Sequence, residues 1–97
     1  MKRTQVLEML KARTNELRKR FHISYLDIFG SVARDEASLD SDVEILVVFE
    51  EPPGLFGFVQ LKKSLEEMLS CQVDLVTKNA LKPQLRDSIL KDFIRVA

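Results

Sequence analysis

Two acids placed two positions apart in an otherwise apolar stretch, Asp42 and Glu44 in Asp42-Val43-Glu44-Ile45-Leu46-Val47-Val48, are the residues of this chain best placed to do chemistry. In a strand, side chains alternate between faces, so both carboxylates leave the same face. Like charges held that close repel each other and lose hydration as a core closes, which creates a demand for a cation. A hard divalent ion such as Mg2+ meets it, because it prefers oxygen ligands and takes one or two carboxylates together with phosphate oxygens and water. Upstream, with ten residues between Ser31 and Asp42, a Gly30-Ser31 pair abruptly ends an apolar run. Such a pair at the end of a strand can present backbone N–H groups and a hydroxyl to a phosphate, and glycine lets the backbone approach closely. A metal that polarises a phosphate chain and stabilises an in-line displacement, with two ions able to share the acids, is the chemistry of nucleotidyl transfer.

The elements that must hold these groups are readable from periodicity. Val6, Met9, Leu10, Leu17 and Phe21 recur at helical steps, predicting one amphipathic helix over residues 4 to about 21 with the basic Arg18, Lys19 and Arg20 at its end. Ile23 to Phe29 reads as a strand, residues 31 to 37 as a turn and short helix, and Val43 to Phe49 as a buried strand interrupted only by Glu44. Glu50-Glu51-Pro52-Pro53-Gly54 ends that strand. A second helix is expected over residues 55 to 69, with Leu55, Phe58, Val59, Leu61, Leu65, Met68 and Leu69 on one broad face. Residues 72 to 76 form a third strand, and a short helix follows Pro83 to about residue 93, turning Leu85, Ile89, Leu90 and Phe93 inward. This alternation predicts an α/β sandwich with a small mixed sheet packed by helices.

At 97 residues the chain is expected to form one domain, residues 1–97. Lysine plus arginine equals aspartate plus glutamate at 15 each, so net charge indicates neither a nucleic-acid nor a membrane surface as the main partner. No apolar stretch reaches the ~20 residues of a membrane span, and the first segment is polar and amphipathic, which fits a cytoplasmic location. The single Cys71 cannot form an internal disulfide and reads as a small core residue. His22, beside Phe21, reads as a helix-end residue. Arg34 either contacts phosphate or pairs with Asp35, Glu36 or Asp40. The segment from Pro52 to Phe58 is either an interaction surface, which would suit a homo-oligomer, or a set of core anchors at a helix start.

The stretch GSVARDEASLDSDVEILVVF, with Gly-Ser, ten residues and then two acids with one residue between, resembles the minimal nucleotidyltransferases of the DNA polymerase beta superfamily. The similarity runs from about residue 23 to residue 76. It implies the polymerase beta-like fold, a triphosphate held by Gly30 and Ser31 with Arg34 nearby, and metal held by Asp42 and Glu44. A third acid on the following strand completes the family's site, and Asp74 fills that role by position, as metal ligand or as base for the attacking hydroxyl. Ser41-Asp42 matches the Ser-Asp that commonly precedes the acidic strand. The resemblance also implies a HEPN-domain partner, a ribonuclease toxin that such antitoxins modify by transferring AMP from ATP with Mg2+. Two positions depart from the pattern. Glu44 replaces an Asp and so carries its carboxylate about 1.5 Å further. Asp35 stands where the family often has Gly. These departures support the alternative expectation, a nucleotidyltransferase-fold binding module that neutralises its partner by contact.

Overall fold

The computed structural model describes residues 2–38 and 42–97, and at Asn79, Leu85, Ser88 and Leu90 the backbone alone. The two runs richest in β-branched and aromatic residues become β1 (Ile23–Phe29) and β2 (Val43–Phe49), paired antiparallel. Strand β3 (Val73–Thr77) lies parallel to β2, and a two-residue β4 (Ile94–Arg95) pairs antiparallel with the other edge of β1, giving the order β3-β2-β1-β4. The sheet is therefore mixed, as expected from the sequence.

Alternation sorts the two faces. Leu26, Ile28, Val43, Ile45, Val47, Val73 and Leu75 are buried in one cluster. With them pack Val6 and Leu10 of α1 (Arg3–Ala12), Leu17 of α2 (Thr14–Phe21) and Leu61, Leu65 and Leu69 of α4 (Gly54–Leu69). The opposite face carries Phe29, Glu44, Leu46 and Asp74, and α5 (Pro83–Asp92) covers part of it by packing Ile89 on Phe29 and Leu46. Between β1 and β2 a four-residue helix, α3 (Gly30–Ala33), redirects the chain. Among the described residues no helix is long and apolar enough to cross a membrane.

Several expectations are corrected. The first helix is broken at Arg13, whose backbone leaves helical geometry (φ −119°, ψ 15°), while the Thr14 hydroxyl donates to the Leu10 carbonyl at 3.0 Å. A threonine returning to the carbonyl four residues back competes with the helical ladder and bends it. The broad face expected on the second helix is narrower: Leu61, Leu65 and Leu69 are buried, but Leu55 is 81% exposed and Val59 39%. Met9 and Phe93 are likewise exposed, not inward. Leu85 and Leu90 lie outside the residues whose side chains are described. The periodicity of α5 gave no sign of β4, because two residues are too few to show alternation.

Candidate active site

The serine turn is built by backbone constraint. Gly30 sits at φ +73°, and a Cβ there would fall on Oε2 of Glu44, so the glycine is needed both for its conformation and for the space. Ser31 follows at the start of α3, and its backbone N–H donates to the Glu44 carboxylate. The turn and the acidic strand are thus in direct contact.

Glu44 pairs in register with Asp74 on β3, so these two side chains stand side by side on the face that also carries Phe29. The ends of both strands are pinned: the Val43 N–H donates to the Gln72 carbonyl at 3.0 Å, and the Val73 N–H to the Glu66 carboxylate of α4 at 3.1 Å. Partial burial pushes the Glu44 carboxyl above the usual carboxylate range, the Asp74 charge adds to the rise, and Asp42 adds further; the Ser31 N–H and Arg34 oppose it. Asp42 itself is exposed, one residue before β2. Among the described residues no three carboxylate, imidazole or thiol groups form a closed metal-ligand set. What meets is the Glu44–Asp74 pair, with Asp42 acting on it through charge. Oxygen donors of this kind fit a hard divalent ion that keeps part of its water shell.

A carboxyl raised in this way gives a sign to the pH dependence. Its folded pKa lies above its unfolded one, so its contribution to stability is present at acidic pH and lost as pH rises through the folded value. In metal-free protein, Glu44→Gln is expected to remove that loss. Melting curves from acidic to neutral pH should show parent and variant converging at the acid end and the variant more stable at neutral pH; parallel curves would contradict the electrostatic account.

Asp35 is held by the backbone of α1. It takes a left-handed backbone, φ +59°, the conformation for which glycine is favoured and which aspartate tolerates, and its Oδ1 accepts from the Arg3 N–H at 3.2 Å. The Arg3 guanidinium in turn donates to the Ala33 carbonyl at 3.2 Å. The acid therefore latches the first turn of α1 to the end of α3, and Asp35→Gly is expected to relax the strain yet lose the latch. The expected net cost is under about 1 kcal/mol, read as a lowered denaturant midpoint at unchanged slope.

Arg34 bonds to Glu36 at 3.1 Å and to Asp92 at 3.5 Å, tying the serine turn to α5. Of its other expected partners, Asp35 is engaged elsewhere, and Asp40 lies outside the described residues, as does the Ser41 of Ser41-Asp42. His22 closes α2 in a left-handed conformation, as a helix-end residue does. Cys71 is half-buried against the main core, and burial pushes its thiol up, which suits a packing residue.

One group of residues escaped the sequence reading. Asp27 on β1 is 3% exposed and accepts from Arg95 of β4 at 2.8 and 3.4 Å, and the Arg95 guanidinium lies 4.3 Å from the centre of the Tyr25 ring. An aspartate inside the apolar run Tyr25-Leu26-Asp27-Ile28-Phe29 was the available signal, the same kind of signal that singled out Glu44.

Residues 10–96 match the family described as "Nucleotidyltransferase domain". Protein adenylyltransferase MntA of Thermococcus cleftensis is 42% identical over 92 residues, which cover 95% of this chain and 93% of the relative. Among solved structures, a minimal nucleotidyltransferase superposes with a TM-score of 0.80 at 37% identity, covering 97% of this chain and 95% of the other. The MNT antitoxin complexed with a tri-AMPylated HEPN toxin from Shewanella oneidensis superposes at 0.68 and 16% identity, covering 94% and 71%, a likeness of fold.

Proposed function

We propose, from the premise that the chain belongs to the nucleotidyltransferase domain family and has the polymerase beta-like fold, that it transfers AMP from ATP to a hydroxyl of a partner protein. The observation that supports this reading is the contact of the Gly30-Ser31 turn with Glu44, which in turn pairs in register with Asp74.

In this reading Gly30 and Ser31 receive the triphosphate, while Asp42, Glu44 and Asp74 hold Mg2+. The ion supplies charge neutralisation at the transferring phosphate. Asp74, on the strand next to Glu44, would orient the acceptor hydroxyl or take its proton. Arg34 adds positive charge near the phosphates once it leaves Glu36. The exchange is balanced: the acceptor oxygen forms a bond to the α-phosphorus, the bond to the pyrophosphate oxygen breaks, and the hydroxyl proton passes to a base.

The partner in this reading is a HEPN-domain toxin, and the chain is its cytoplasmic antitoxin. The relative from Thermococcus cleftensis carries the name protein adenylyltransferase, and the Shewanella oneidensis complex pairs an MNT antitoxin with a tri-AMPylated HEPN toxin. Leu55 and Phe56, 81% and 77% exposed at the start of α4, favour the interaction-surface reading of that segment over core anchoring. Incubating the protein with α-labelled ATP, Mg2+ and its HEPN-domain partner should label the partner. No label on a folded, binding-competent partner would refute the transferase reading. Asp42→Asn separates it from the binding-module alternative: transfer predicts lost neutralisation with binding retained, whereas unchanged neutralisation favours the module.

A further inference from the structure

Below the carboxylates, on the same face of the sheet, a half-open pocket of about 430 Å³ lies between the sheet and α5. Its lining includes Leu46 and Val48 of β2, the Asp27–Arg95 pair, Lys78 just after β3, and Arg86 and Ile89 of α5. Leu46 and Val48 follow Glu44 at steps of two on β2, so the cavity starts roughly 7 Å along the strand from that residue. The volume falls within the range of small-ligand sites.

The charges inside select the ligand. Asp27 and Arg95 neutralise each other, and neither Lys78 nor Arg86 has an ion-pair partner among the described residues. Two exposed, positively charged residues therefore border a pocket whose other walls are mostly apolar. A carboxylate would match one of them, whereas a phosphate monoester carries nearly two negative charges at neutral pH and matches both. The apolar walls and the Phe93 ring, 41% exposed at the cavity, suit a flat aromatic body.

We infer that this cavity is a second ligand site, separate from the serine turn, for a phosphate monoester on an aromatic ring system, with the dimensions of a nucleoside monophosphate. The phosphate lies between Lys78 and Arg86, and the ring lies against Leu46, Val48 and Ile89. Asp27 holds Arg95 in place, so that the floor stays neutral and does not repel the ring.

The site is tested without metal and without transfer, so its failure is distinct from failure of the transferase reading. Titrating AMP into the isotope-labelled full chain free of divalent ions should give saturable amide shifts centred on Val48, Leu81, Arg86 and Ile89. Adenosine, which lacks the phosphate, and the double variant Lys78→Ala/Arg86→Ala with AMP should each bind about tenfold more weakly. Both replaced side chains are exposed, so the spectrum away from the cavity should be unchanged. Shifts confined to residues 30–34, adenosine binding as tightly as AMP, an unaltered affinity in the double variant, or benzoate competing as well as AMP would each overturn the assignment.

Discussion

Asp74→Asn protein is expected to fold as the parent does and to transfer nucleotide at least about a hundredfold more slowly. The substitution keeps size and shape on a half-exposed edge strand, so the packing of β3 against β2 survives. It removes the negative charge beside Glu44 that would hold an ion or accept a proton. It also removes one cause of the raised Glu44 carboxyl, which should fall back toward the ordinary range. Comparing kcat at saturating ATP with nucleotide affinity separates the two contributions of Asp74. A fall in kcat alone marks the acceptor side, and a joint fall in metal-dependent nucleotide binding marks the ion. Transfer at the parent rate would remove Asp74 from the site.

Gly30→Ala should have the second largest effect, and on both stability and activity. Positive φ at a residue with a Cβ costs about 1–2 kcal/mol. The new methyl must also displace the Glu44 carboxylate, the flexible end of a side chain that can swing away only by giving up the Ser31 N–H. A loss of about 2–4 kcal/mol is expected in chemical denaturation, together with loss of nucleotide binding. A variant as stable as the parent would mean that the turn is looser than its geometry indicates.

The strands bearing the site were legible because their signals are local. Five apolar or aromatic residues of the seven in β1 lead up to a glycine, and one acid interrupts the apolar run of β2. The Glu44–Asp74 juxtaposition was legible only through family resemblance, since nothing local states that β3 lies parallel to β2 in that register. Asp27 shows the limit most clearly. Its partner, Arg95, is 68 residues away and sits on a strand too short to announce itself. The place of Asp35 was not legible, because the direction of its side chain depends on α1 folding back to offer the Arg3 N–H. The exposure of Leu55 and Val59 was missed for a related reason: helical spacing indicates which residues share a face, not how much of that face finds a neighbour.

The late pairing of β4 has a consequence for how the molecule assembles. The Val96 N–H donates to the Leu26 carbonyl at 2.8 Å, closing the longest loop in the sheet, whereas β1 and β2 are joined across a short connection. Closing a longer loop costs more chain entropy, so the β1–β2 hairpin forms first and α5 with β4 docks last. In a pulse-labelling refolding experiment the amides of Asp27 and Leu46, which face each other across β1 and β2, should acquire protection before that of Val96. The newly emerging chain would then hold its acidic strands in register before the cover over Leu46 arrives.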